Sequence, residues 1–268
     1  MRETEIVLGI EHLWRELTAI YVLTITTDRF NQYNLPRLAA IHLLDGFAIE
    51  LIDGETTQIS VEWLQAISAE ITVLLHDENA TYFVLSIIGV QSSGKSTLLN
   101  TMYGCRLRTN LLLCTRGGYI QLIRCEDRSY NYVLLIDIEG VRSGSFQLRT
   151  DRFLHDNRLC TMAMMIAHKT IVMTTANQMI DMASILSMVR NATKQTGMEW
   201  RDPIFVERGA VVIGQDEIEI NQHNMALKDI LINAQVYDAQ NFNFVVHHLP
   251  TNIGTENAIQ YGCLVSEL

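Results

Sequence analysis

Apolar positions along the chain recur with two periods, near 3.6 and near 2 residues, and the changes from one to the other divide it into candidate helices and strands. From Ile6 to Tyr21 the apolar residues Ile6, Leu13, Leu17 and Ile20 stand at helical spacing, which predicts an amphipathic helix, and TTDRFNQYN after it reads as a loop. Pro36 suits the first turn of a short helix through Leu44, with Gly46 at its exit. FAIELIDG reads as a strand and turn. Ser60 is placed to cap the helix VEWLQAISAEITVLL, whose Val61, Leu64, Ile67 and Ile71 would share one face.

A strand is predicted over Tyr82 to Ile88, then a glycine-framed loop and a helix from Lys95 to about Met102. YIQLIRCE and YNYVLLIDIEG are apolar runs joined by a short polar turn, the pattern of a hairpin. HDNRLCTMAMMIA reads as a buried helix and KTIVMTT as a strand. NQMIDMASILSMVRNA follows as a helix with Met179, Met182, Ile185, Leu186 and Val189 on its apolar side. The stretch from Gly197 to Asn243 has no clear period, although Ala210 to Ile213, and Phe244 to His247 just beyond it, are candidate strands. Strands alternating with helices imply an α/β fold with a mostly parallel sheet covered by helices on both faces. There is no internal repeat and no low-complexity linker.

Composition narrows this picture. Of 268 residues, 48% are hydrophobic and 19% charged, a balance suited to a folded chain with much buried strand. The net charge of -10 argues against sequence-independent binding to nucleic acid or to an anionic membrane, so any anion must be held locally. Five cysteines without CxxC spacing suggest neither a zinc ribbon nor a disulfide framework, which favours a reducing compartment. No signal peptide is expected from MRETEIVLGIEHLWREL. LCTMAMMIAHKTIVMTT, broken by His168 and Lys169, is too short and too polar for a transmembrane span.

The loop GVQSSGKST concentrates candidate chemistry. A phosphate chain requires several converging backbone N–H groups, which a glycine-framed loop running into a helix N-terminus supplies. In this G-x-x-x-x-G-K-[ST] pattern Gly89 and Gly94 frame the loop, with Ser93 and Thr97 beside the phosphates. Lys95 would reach the β and γ phosphates, and the Ser96 hydroxyl would ligate Mg²⁺. The alternative is a plain Gly/Ser turn with a solvated lysine. Asp137, ending the apolar run LLIDI, would hold a magnesium-bound water, and Gly140 would turn its N–H toward a γ phosphate. CTRGGY offers Thr115 as a second hydroxyl ligand for Mg²⁺ in a nucleotide-sensing loop; an ordinary Gly-Gly turn is the other reading. These motifs specify a P-loop NTPase three-layer fold, here with an N-terminal helical extension.

Taken together, LPRLAAIHLLDGFAIELIDGE, VLSIIGVQSSGKSTLLNTMYG, CTRGGYIQL, LLIDIEGVR and HDNRLCTMAMMIA resemble the G domain of the interferon-inducible very large GTPases, relatives of the dynamin-like and guanylate-binding proteins. The likeness runs from about Leu35 to about Ala192. It implies GTP and Mg²⁺ as ligands, hydrolysis of GTP, self-association controlled by nucleotide state, and a cytosolic or also nuclear setting tied to innate immunity. It divides the chain into an extension over 1–34 and a G domain over 35–268, truncated relative to a family whose members continue much further. It places Gln91 and Ser92 near the phosphates, to orient water or neutralise charge. Guanylate-binding relatives carry an arginine at the position of Ser92, and small GTPases a glutamine at that of Val141; both departures imply slow hydrolysis unless a second molecule, a monovalent cation or Arg116 completes the site.

Base recognition is less legible. None of the four lysines, at 95, 169, 194 and 228, is followed two residues later by Asp, so the [NT]-K-x-D motif is absent. FVVHHLPTN is loosely similar to a family segment in this region, which nominates His247 and His248 for the border of a base pocket; a surface or core histidine pair is the alternative. WRDP, with Arg201 and Asp202, is similar to the Arg-Asp base motif of guanylate-binding relatives. Three functions stay open: a Mg²⁺-dependent GTPase, an ATP-using P-loop enzyme, and a non-hydrolysing interaction module that binds nucleotide.

Overall fold

The computed structural model describes residues 10–24, 34–52, 58–77, 79–105, 107, 117–125, 129–141, 150–175, 178–209, 217–238 and 244–249. Along these run α1 (Ile10–Thr24), α2 (Leu35–Leu44), β1 (Ile49–Ile52), α3 (Val61–Leu75), β2 (Tyr82–Gly89), α4 (Lys95–Tyr103) and β3 (Gly118–Arg124). There follow β4 (Tyr132–Ile138), α5 (Thr150–Ile166), β5 (Lys169–Thr175), α6 (Met179–Thr196), β6 (Ile204–Arg208), α7 (Glu217–Asn233) and β7 (Val246–Leu249). The seven strands make one mixed sheet in the order β1-β3-β4-β2-β5-β6-β7. By their contacts the residues form two units, 1–83 with 117–135, and 84–116 with 136–268.

In the first unit α1, α2 and α3 gather around an aromatic cluster. Trp63 of α3 lies 6.4 Å from Trp14 and 5.2 Å from Tyr21, ring centre to ring centre, and Trp14 lies 5.4 Å from His42. The cluster bears on which stripe is buried. Among the described side chains of α1 Trp14 is buried and the expected Leu17 half-buried, whereas Leu13 and Ile20, also expected on the apolar face, are exposed. On α3 the expected face is largely kept, with Ile67 buried and Leu64 and Ile71 half-buried, but Val61 at its start is 57% exposed and Trp63, outside the aliphatic pattern, is buried. The expected Ser60 cap is present, its Oγ accepting from Trp63 N at 3.2 Å; α2 has Pro36 in its first turn as expected and a cap the sequence reading did not name, Asn34 Oδ1 accepting from Arg37 N. β1 pairs antiparallel with β3, Ile49 opposite Ile120.

The second unit is built on parallel pairing of β2 with β5, β5 with β6 and β6 with β7. Its strands are apolar on both faces, as in Ile87, Ile88, Ile171 and Val172, all fully buried, because helices cover the sheet. A buried Ser86 to Thr170 hydroxyl bond of 2.7 Å ties β2 to β5. On α6 the five expected positions, Met179, Met182, Ile185, Leu186 and Val189, are all buried. β5 matches KTIVMTT, α5 begins at Thr150, ahead of the expected His155, and β7 is displaced from Phe244–His247 to Val246–Leu249. β6 and α7 occupy the stretch that sequence periodicity left unread, and Ala210 to Ile213 lie outside the described residues. Among the described residues no helix is long and apolar enough to cross a membrane.

Candidate functional site: a phosphate loop at the end of β2

β2 ends at Gly89, and the chain turns through 90–94 into α4. The turn is closed by Ser93 N donating to Val90 O at 3.2 Å, with Ser92 at φ +63° and Gly94 at φ +96°. At Gly94, the residue before the first helical turn, that φ lies where a Cβ is disfavoured, so glycine is the natural occupant. No side chain caps the start of α4, and its first turn stands at the positive end of the helix dipole, where an anion is favoured.

Lys95 is 6% exposed, and its ammonium folds back to donate to Gly89 O at 3.3 Å and Val90 O at 3.2 Å, so it stands inside the loop. Ser96 Oγ donates to Asp137 Oδ2 at 2.6 Å, which joins the loop to the end of β4. The stretch after Asp137 is stitched to the loop as well: Val141 N donates to Gly89 O at 3.0 Å and Gln91 N to Val141 O at 2.7 Å. Gly140 lies so close that a Cβ there would come 2.5 Å from Gln91 Cα and 2.8 Å from Lys95 Nζ. Only glycine fits between the loop and its lysine.

The structure therefore brings together Gly89, Gln91, Ser92, Ser93, Gly94, Lys95, Ser96, Thr97, Asp137 and Gly140. Ser93 is buried and its Oγ meets no hydrogen-bond partner among the described residues, a polar atom that a phosphate oxygen would satisfy. Ser92 is exposed at the tip of the turn. Val141, buried and bridged to Val90, packs against the loop where small GTPases carry a polar residue. Thr115 and Arg116 lie outside the described residues.

For Mg²⁺ the donor set fits. A hydroxyl and a carboxylate 2.6 Å apart are the hard oxygen ligands this ion prefers, and it completes its shell with water and phosphate. Among the described residues no group of three or more His, Cys, Asp and Glu is gathered as in an all-protein metal cage.

The base-recognition candidates separate. Arg201 donates to Ala167 O at 2.6 Å, just before β5 begins, and Asp202 accepts from the neighbouring Trp200 Nε1 at 2.8 Å, just before β6 begins. This is the N-terminal edge of the parallel strands, whereas the phosphate loop follows the C-terminal edge, so WRDP is a structural brace and not a base site. His247 and His248 stand at the C-terminal edge, paired with Val206 and Glu207 of β6. His248 is committed to protein partners: Nδ1 lies 3.2 Å from Glu207 Oε2 and Nε2 lies 3.0 Å from Asn224 Oδ1.

Three features were not visible in the sequence. Glu207, fully buried, also meets His223 Nε2 at 2.8 Å. Burial pushes its carboxyl up, but the close approach of His248, the hydrogen bond with His223 and the charge of both rings outweigh that and hold it below its ordinary 4.5. Arg208, the next residue, reaches across to donate to Ser93 O in the phosphate loop at 3.2 Å. Buried Glu139, next to Gly140, lies 3.5 Å from His155 of α5. Cys160 on the same helix has its thiol pushed up to about 12 by burial, as has Cys105, so neither is an ionised nucleophile at neutral pH.

The family model of the URGCP-like GTPase domain matches residues 2–203. The chain is similar to interferon-induced very large GTPase 1 of Mus musculus, 35% identical over 189 residues, which cover 68% of this chain and 8% of that protein. It is similar to up-regulator of cell proliferation of Homo sapiens, 33% identical over 198 residues, covering 68% of this chain and 21% of that protein. Protein SEY1 homolog 2 of Paramecium tetraurelia is 30% identical over 131 residues, 49% of this chain and 16% of that protein. The chain thus spans a small part of the length of the relatives it matches. With a family model matched over residues 2–203 and a relative 35% identical over 68% of this chain, the chain belongs to the URGCP-like GTPase domain family.

Proposed function

We propose that the chain binds GTP together with Mg²⁺ at the loop after β2, hydrolyses it slowly to GDP and phosphate, and changes its self-association with nucleotide state. The observation that carries this is the Ser96 to Asp137 bond of 2.6 Å beside a lysine wrapped into its own loop. Mg²⁺, when bound, would supply charge neutralisation between the β and γ phosphates, held by Ser96 directly and by Asp137 directly or through water. Lys95 would contribute a fixed positive charge, desolvated and therefore strong. The uncapped first turn of α4 would add N–H donors. Gly140, pressed against Gln91 and Lys95, would report whether a γ phosphate is present, since the loop cannot move without moving it. Val141 leaves no polar side chain at that position to orient water, which supports slow turnover by the isolated chain.

The test is a titration of a fluorescent GTP analogue with Mg²⁺, competed by unlabelled GTP and ATP, on wild type and Lys95→Ala. GTP should compete at least about tenfold better than ATP, and Lys95→Ala should abolish binding. Equal competition by ATP would replace GTP by a general nucleoside triphosphate. Binding that survives Lys95→Ala would remove the loop as the site.

A further inference from the structure

The bond from Arg208 to the phosphate loop spans 115 positions of sequence and belongs to no motif read above. We propose that Arg208 is a positioning residue that presets the phosphate loop for its anion, a role the chain assigns to an arginine at the end of β6. The proposal rests on the reading of that loop as a nucleotide-phosphate site.

The argument starts with a peptide plane. In a trans peptide the C=O and the following N–H point in opposite directions, so the Ser93 carbonyl and the Gly94 N–H cannot face the same side. Gly94 at φ +96° has the freedom to let this plane rotate. One orientation turns the Gly94 N–H away from Arg208 and the Ser93 carbonyl toward it; the flipped orientation would bring a carbonyl dipole into an anion site. The Arg208 guanidinium, donating to Ser93 O at 3.2 Å, selects the first. Its charge is permanent, so the selection does not depend on pH.

The anchor is well built. Arg208 pairs with Thr175 of β5 on one side and Leu249 of β7 on the other, and Gly209 N donates to Leu249 O at 3.0 Å. Glu207 projects to the opposite face of the strand, where His223 and His248 clamp it. The end of β6 is thereby fixed from both faces, and the arm that reaches the loop is held at its base. A lysine would retain charge and length but lose the planar fork that sets the angle of the bond.

The experiment uses the full chain with Arg208→Gln and Arg208→Lys, in two measurements. Hydrogen exchange of the nucleotide-free protein, read on peptides covering 89–96, should quicken in Arg208→Gln and partly recover in Arg208→Lys, with exchange elsewhere in the unit unchanged. Titration with fluorescent GDP and GTP should show both weakened by a similar factor, about tenfold or more for the Gln variant, because the loop and not the γ phosphate is affected. Unchanged exchange in the loop overturns the proposal, as does faster exchange spread through the whole unit, which would make Arg208 a plain stabiliser. If wild type binds neither nucleotide, the GTP reading fails, while the exchange data still decide whether Arg208 holds the loop.

Discussion

Glu207 shows how one buried charge is made tolerable. Its carboxylate is out of water and is held by two histidines, at 2.8 Å and 3.2 Å, so its ionised form is favoured in the folded chain despite burial. A carboxyl with a lowered folded value contributes stability above its unfolded value, and loses it as pH falls through the folded value. The midpoint of urea unfolding should therefore drop as pH falls from about 5 to about 3, and Glu207→Gln should flatten that slope. A variant with the same slope as wild type would show that other carboxylates set acid stability. Gly140 is the converse case, a residue whose role is to be absent beyond its Cα, since the loop and Lys95 fill the space a methyl group would need.

At the scale of elements, α3 and α6 were readable because their signals are local. Ser60 caps α3 by a hydrogen bond three residues along the chain, and α6 repeats its apolar side over four turns before Gly197 ends it at φ +69°. Ser60→Ala should lower stability by about 1 kcal/mol, with Ser60→Asp retaining most of it, measured by chemical denaturation; equal midpoints for all three would show that packing alone defines the helix start. The face of α1 could not be read the same way, nor could the first turn of α3. Both carry apolar residues on more than one stripe, and the choice between Leu13 and Trp14, or between Val61 and Trp63, is made by partners outside the helix, although Ile67 of α3 is buried as its spacing suggests. α7 escaped because much of it faces water: among its described side chains, only Leu227 and Leu231 are buried. β6 escaped because an apolar run of three residues after a proline is too short to show a period.

For the whole molecule, the proposed self-association predicts that turnover per molecule rises with protein concentration, through completion of a site that Val141 leaves without a polar group. A turnover number constant over a wide range of protein concentration would remove self-association from the mechanism. The sequence by itself determined the phosphate loop, the Asp137 and Gly140 that meet it, the α/β class and the family, because a nucleotide site of this kind is written in short runs whose backbone does the binding. Only the tertiary structure decided that WRDP lies at the far edge of the strands, that His248 serves Glu207, and that Arg208 reaches Ser93. Those relations join residues that no periodicity connects, and they exist once parallel pairing has set β5, β6 and β7 side by side in register.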